Sequence, residues 1–353
     1  GIYFSDDGSL LAYSISEGGS DWRKVIVIET ENKTIVGDTL LDLKFSGISW
    51  DGNKGFYYSS YKKPENSILS DRTDRHILYY HTLSNDQKYD KVIFGQKEKF
   101  RYVSGRVTKD QNYLIISASN ETSGNNLYIK DLNTDHSKLI QITYNFESNS
   151  YITHNIGNKL YISTNLHAPN KKLIVVDANN PHVENWIDVI PETQNVLTIS
   201  KGGGYFFANY FIDANSKIIQ YNYDGQLVRE VKFSGKGNVS GFRGKEDQKE
   251  IFYNFSNYIT PKSSFKYNVH TGKSELLLGG GVACNGRLRE MSAIMCEERG
   301  GQSFWPEKQY CIDNGTMIAE LGRKELQSGR ITELDQSAID PSMRTDSSTI
   351  AWT

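Results

Sequence analysis

The chain has 353 residues, a formal net charge of −2, seven His and three Cys. Charges this balanced, with no long basic block, do not demand a nucleic-acid surface. No apolar run approaches the ~18 residues of a membrane span. The first Cys is Cys284, which excludes a disulfide framework over everything before it. The start, GIYFSDDGSLLAYS, lacks a Met and a basic-then-apolar leader, and opens inside a strand pattern, so it reads as a fragment. On these grounds the cytoplasm is the favoured compartment, with the periplasm as the alternative for a bacterial parent.

The first part of the chain repeats. Polar turns lead into alternating strands at SDDG-SLLAYS, WDGNK-GFYYSS, TKDQN-YLIISAS, HNIGN-KLYIST, SKGG-GYFFAN and GKEDQK-EIFYNF. A second strand follows each: WRKVIVIE, HILYYH, NNLYIKDL, KKLIVVDA, SKIIQYNY and SSFKYNV. Anchored on Leu11, Phe56, Leu114, Tyr161, Phe206 and Phe252, the intervals are 45, 58, 47, 45 and 46 residues. The long interval holds a polar insertion, Lys62 to Arg75, which reads as a surface loop. A period of about 45 residues with four short strands per unit predicts β-propeller blades. Such a blade cannot bury both of its faces alone, and stacking on its neighbours buries them. The fold class expected is therefore mainly β.

Chemistry is sparse in this region. There is no GxSxG elbow, no P-loop and no HxxxH. His76 and His81 flank the strand ILYY at an odd spacing, on opposite faces, and read as polar strand-end residues and not as metal ligands. Gly202 to Gly204 precede YFFA and read as a hairpin turn.

AYSISEGGSDWRKVIVIE, LKFSGISWDGNKGFYYSSY, SGNNLYIKDL, GGGYFFANY and FSNYITPKSSFKYNVHTGKSE occur in this order. Together they resemble the propeller of bacterial prolyl oligopeptidases over roughly Gly1 to Glu275. The resemblance implies a propeller of which about six of seven blades are present, capping an α/β-hydrolase domain and admitting short proline-containing peptides to a Ser-Asp-His site. The residues of that hydrolase domain are not in this chain, so no acyl transfer by that mechanism is expected from it. By the same resemblance Asp21 and Trp22, in GSDW, lie where the propeller faces the hydrolase domain. Tyr57 falls near an aromatic residue that contacts substrate. No cofactor is implied for the propeller.

After Glu275 the composition changes. All three Cys and all four Met lie beyond Leu278, whereas 38 of the 42 aromatic residues lie before it. Leu276 to Leu278 predicts a strand, GGGVACNG a glycine-rich turn, and Arg287 to Gly300 a helix. The apolar face of that helix is Leu288, Met291, Ile294 and Met295. A strand, a glycine-rich turn and a helix N-terminus can cradle an anion. Cys284, Cys296 and Cys311 lack CxxC spacing and read as core thiols.

GGGVACNGRLREM, FWPEKQYCIDNGTMIAELG and MRTDSSTIAW resemble the catalytic subunit of tRNA threonylcarbamoyladenosine synthase, formerly O-sialoglycoprotein endopeptidase, over Leu276 to Thr353. That family has an actin and Hsp70-like ATPase fold, so the resemblance implies a small α/β segment. It implies nucleotide contacts from Gly279, Gly280, Gly281 and Asn285. Asp313 would ligate a divalent iron or zinc ion, with Asn314 and Gly315 shaping the turn. The HxxxH ligands and the first lobe are absent, and one carboxylate is a poor transition-metal site.

The chain therefore divides into 1–275 and 276–353. The leading expectation is the substrate-gating propeller portion of a serine peptidase, silent on its own. Its partners would be short peptides or a hydrolase domain, without a membrane, and with self-association through exposed blade edges. ATP, metal and tRNA enter only through the tail, as a transferase fragment. A non-catalytic binding scaffold is the third reading.

Overall fold

A computed structural model of the chain describes residues 1–37, 39–62, 75–97, 99–277, 281–298, 302–305, 307–308, 311, 315–329, 331 and 333. The first sheet is β1 (Ile2–Phe4), β2 (Leu10–Ser16), β3 (Arg23–Glu29) and β4 (Leu40–Leu43). The second is β5 (Ser49–Asp51), β6 (Gly55–Tyr61), β7 (His76–Thr82) and β8 (Lys91–Phe94). The third is β9 (Tyr102–Val107), β10 (Tyr113–Ser119), β11 (Asn126–Asp131) and β12 (Ile140–Gln141). The fourth is β13 (Ser150–Ile156), β14 (Lys159–Thr164), β15 (Lys172–Asp177) and β16 (Ile187–Ile190). The fifth is β17 (Leu197–Gly202), β18 (Tyr205–Ile212), β19 (Asn215–Tyr221) and β20 (Leu227–Val231). The sixth starts with β21 (Asn238–Arg243), β22 (Glu250–Ser256), β23 (Ser263–Asn268) and β24 (Ser274–Leu277).

Each sheet keeps its strands in chain order, which is the blade pattern that the repeats predict. The two strands legible in each repeat are the second and third of each sheet. The tight turns between first and second strands use the left-handed region. Gly8 (φ +75°) occupies it in the first repeat, and Gln111 (φ +61°), without glycine's freedom, in the third. Between third and fourth strands the register shifts in four sheets, at Arg23/Val25, Leu78/Tyr79, Leu173/Ile174 and Gln220/Tyr221. A bulge there twists the outer strand and blunts its edge.

Period-two alternation sends one strand into two cores. In β6, Phe56 and Tyr58 join Val25, Val27, Leu40 and Trp50. The intervening Tyr57 points the other way, to Leu78, Leu114, Ile116 and Tyr128. In β10, Ile115 leaves Leu114 and Ile116 for a third core with Leu127, Leu160 and Ile174. A further core gathers Phe207, Phe242, Ile251, Tyr253 and Tyr267. Burying each large side chain contributes about 1.5–3 kcal/mol.

Two of the repeat anchors sit one residue out of register. Leu11 is half-buried and Phe252 is 53% exposed, while the cores take Leu10 and Ala12, and Ile251 and Tyr253. A shift of one residue exchanges the two faces of a strand. The histidines of β7 lie near its two ends, as expected, and both are buried: His76 is 0% and His81 2% exposed. His81 Nδ1 lies 2.8 Å from Asp90 Oδ1, and the Tyr58 hydroxyl donates to Asp90 Oδ2. Burial is tolerated because these polar atoms are bonded.

Beyond β24, the residues Gly281–Cys284 form one 3-10 turn and Gly286–Glu297 form helix α1. Strand β25 (Gln302–Phe304) pairs parallel to β24, pairing Glu275 with Gln302 and Leu277 with Phe304. So β24, α1 and β25 make a βαβ unit that adds a fifth strand to the sixth sheet. The buried face of α1 is not the one expected. Ser292 and Cys296 are buried, whereas Met291 and Ile294 are about half exposed. Packing against the sheet chose the 288/292/296 row, a true i, i+4 row, over the stripe of largest apolar residues. Helix α2 (Gly315–Gln327) begins at the residue expected to shape a turn. No disulfide links the three Cys; Cys296 and Cys311 are buried, as core thiols would be. No helix among the described residues is long and apolar enough to cross a membrane.

The chain forms two compact units. One is 1–199 with 208–211 and 223–226, and the other is 200–207, 212–222 and 227–353.

Candidate functional site

In each meander the second-to-third turn and the exit from the fourth strand lie at the same end. In the first unit this end carries Glu17 to Trp22, Lys44 to Ile48, and the segment leading to Arg101. Hydrogen bonds tie these loops together. Tyr61 donates its hydroxyl to the Arg101 carbonyl, and Arg101 N–H donates to Asn120 Oδ1 at 3.1 Å.

Lys44 is the centre of the cluster. Its side chain is nearly buried, with Nζ 3.7 Å from Asp21 Oδ2. The same ammonium lies over the rings of Trp22, at 5.1 Å, and Phe45, at 5.3 Å. Each such contact is worth about 0.5–2 kcal/mol, more where water is excluded. The Lys44 carbonyl is held as well. His76 Nε2 lies 2.9 Å from it, and Val103 N–H donates to His76 Nδ1 at 2.8 Å. A nitrogen that accepts from an amide carries no proton, so Nε2 is the protonated nitrogen of a neutral ring. Burial holds His76 down at about 4, and Tyr61 stacks on the ring at 4.3 Å.

The backbone here is strained. Asp42 has φ +60° and Phe45 φ +52°, which costs about 1–2 kcal/mol per residue outside glycine. Ser60 Oγ–H donates to the Asp42 carbonyl and helps to hold the first. The outcome is that Phe45 stands 51% exposed. Its ring is edge-on to Tyr61 at 6.3 Å and to Tyr102 at 6.0 Å. Arg101 covers the Tyr102 ring at 5.4 Å, and Phe100 leads on to Phe146 at 6.2 Å. Strain of this kind collects at sites of function.

The structure thus brings Asp21 and Trp22 together around Lys44. It does not bring Tyr57 to them. Tyr57 is 6% exposed, rests on Tyr80 at 4.9 Å, and is pushed up to about 12 by burial and then by Asp51. A side chain in that core meets no ligand without a rearrangement. Lys44, Phe45 and Arg101 escaped the sequence reading. The only signal was LKF, where strand alternation runs on into a loop, and the positive φ that turns Phe45 outward leaves no mark in the sequence.

In the C-terminal stretch, Gly279, Gly280, Asp313 and Asn314 lie outside the described residues. Gly281 opens the 3-10 turn. Asn285 is the N-cap of α1, its side chain accepting from Arg287 N–H at 2.9 Å and Leu288 N–H at 3.1 Å. Among the described residues no three His, Cys, Asp or Glu converge as a metal would need. The Lys44 cluster pairs no nucleophile with a base. It offers ring faces, the Arg101 cation and the Asp21 carboxylate, which suits binding.

Residues 1–278 match the sequence family described as the prolyl oligopeptidase N-terminal β-propeller domain. The prolyl endopeptidase of Elizabethkingia meningoseptica is 50% identical over 278 residues, 78% of this chain and 39% of that relative. The chain therefore spans about two fifths of the length of the prolyl endopeptidases that it matches. A C-terminal stretch of 84 residues is 47% identical to a probable tRNA N6-adenosine threonylcarbamoyltransferase of Drosophila melanogaster, covering 24% of each. A solved structure from a study of two prolyl endopeptidases and their inter-domain dynamics has a TM-score of 0.69 at 25% identity. It covers 78% of this chain and 41% of that one. Prolyl oligopeptidase B of Galerina marginata, bound to a 35mer hydrolysis and macrocyclization substrate, shares the fold with a TM-score of 0.69.

Proposed function

Because the chain belongs, through residues 1–278, to the N-terminal β-propeller family of prolyl oligopeptidases, we propose that its Lys44 cluster is a contact surface for short proline-containing peptides and for a catalytic hydrolase domain. The chain covers the propeller of such peptidases and not their catalytic domain. The observation that carries the reading is Phe45, an exposed ring held at a strained φ between Tyr61 and Tyr102. Proline rings and extended peptides dock on aromatic faces, which cost little entropy to order. Arg101 and Asp21, both exposed, supply opposite charges for the peptide ends or for the facing domain, and the buried Lys44 holds Asp21, Trp22 and Phe45 in place.

Titration of a blocked Gly-Pro tetrapeptide by nuclear magnetic resonance tests the proposal. Shifts centred on Phe45 and Tyr102 are expected. Phe45→Ala should weaken binding about tenfold, equivalent to ~1.4 kcal/mol, with the melting temperature little changed, because Ala keeps the Cβ strain at φ +52° and removes only a half-exposed ring. Binding that is indifferent to Phe45→Ala and to Lys44→Met would refute it.

For the C-terminal stretch, the transferase-like reading assigns ATP to Gly279, Gly280, Gly281 and Asn285, and a divalent iron or zinc ion to Asp313. Its support is the 47% identity over 84 residues. Against it stands the use of the Asn285 side chain as a helix cap. Calorimetry should therefore find no ATP affinity tighter than millimolar. A dissociation constant below ~100 μM, abolished by Gly280→Asp, would overturn that expectation.

A further inference from the structure

A cavity of about 410 Å3 opens in the second unit, between the outer part of the sixth sheet and helix α1. That volume lies within the range of small-molecule sites, ~300–1,000 Å3. The two sequence segments build it jointly. Phe233, Tyr253 and Phe265 come from the propeller-matching residues, and Met295 and Cys296 from α1.

The aromatic wall has a defined shape. Tyr253 and Phe265 lie parallel within 8° at 5.0 Å, and Phe233 stands at 71° to Tyr253 at 5.5 Å. Phe242 stacks on Tyr253 as well, at 4.8 Å and 5°, so Tyr253 can offer little more than an edge, and the partly buried Phe233 and Phe265 supply the ring surface against which another aromatic ring is favoured. Opposite stand the Met295 thioether and Cys296, and sulfur at a ring edge adds about 0.3–1.5 kcal/mol. The charge at the cavity is one-sided. Lys232 and Lys273 line it, and no Asp or Glu is among its described lining residues. Lys232 also approaches Glu230 at 3.4 Å, but that pair is largely exposed and weak. Ser234 and Thr271 add hydroxyls.

We propose that this cavity is a binding site for a planar aromatic carboxylate of about two fused rings. The ring system enters the corner of Phe233, Tyr253 and Phe265, under Met295, and the carboxylate stays at the lysine rim. An inorganic anion would leave the apolar wall unfilled. A neutral aromatic would leave the lysines unused, and so binds more weakly.

The test is calorimetric titration of the full chain with 2-naphthoate and with its neutral counterpart, naphthalene-2-carboxamide. Naphthoate should bind at sub-millimolar concentration and at least fivefold tighter than the amide. Lys232→Glu with Lys273→Glu should weaken naphthoate at least tenfold and leave the amide unchanged. Met295→Trp, which fills the cavity, should remove both. Absence of naphthoate binding at millimolar concentration would overturn the proposal, as would full affinity in a Met295→Trp protein of native circular dichroism. An equal loss of both ligands in the lysine variant would overturn the rim's role. The lysines are surface residues, so that arm decides even if Met295→Trp does not fold.

Discussion

At Lys44 the chain buries an ammonium and leaves the next residue, Phe45, in the open. Strand alternation would predict successive residues on opposite faces, but not which is buried. The choice is made by neighbours distant in sequence: Asp21 and Trp22 from one turn, His76 and Val103 from the next two sheets. His76 makes a prediction at this scale. Its ring is held at about 4 in the folded protein, against an ordinary 6.5. Above 6.5 both states carry a neutral ring and the stability is complete. Between 6.5 and 4 the unfolded chain takes up the proton first, so stability falls as pH falls, by about 3 kcal/mol in all. Urea midpoints measured from pH 7 to 4 should show this slope. It should flatten in His76→Gln, whose amide can still serve Lys44 and Val103. An unchanged slope would remove His76 as its source.

The elements were the most legible level. Six pairs of alternating strands in the sequence became the second and third strands of six sheets, because alternation is local and each repeat restates it. The fourth strands are short, two to five residues, and the recurrent bulge before them breaks their pattern. Helix α1 was legible in extent but not in orientation, since its contacts to β24 and β25 were absent from any periodicity. Its start was legible in chemistry, with an Asn before the first turn. Asn285→Ala should destabilise the C-terminal stretch by about 1 kcal/mol, and Asn285→Gly by only a few tenths. Hydrogen exchange of the α1 amides reads this directly, and equal protection in all three proteins would refute the cap's contribution.

For the whole molecule, exposed apolar surface is the relevant quantity. In the first unit β1 and β2 expose Ile2, Phe4 and Tyr13, and in the second unit β22 exposes Phe252. Strand β6 differs: every one of its residues is buried. Apolar strand surface of this kind invites association. Light scattering should show concentration-dependent oligomers at tens of micromolar, and Tyr13→Lys with Phe252→Lys should shift them towards monomer. A monomer at all concentrations would refute it.

The sequence by itself determined the repeats, their strand character, the two family resemblances and the place where one segment gives way to the other. All of these depend on local pattern or on ordered motifs. Only the tertiary structure decided that Tyr57 belongs to a core, that Phe45 is exposed over a buried Lys44, and that β24, α1 and β25 weld the C-terminal stretch to the sixth sheet around a cavity. The physical reason is common to all three. Which face of a strand or helix is buried depends on the surface brought against it, and that surface lies tens of residues away in the chain.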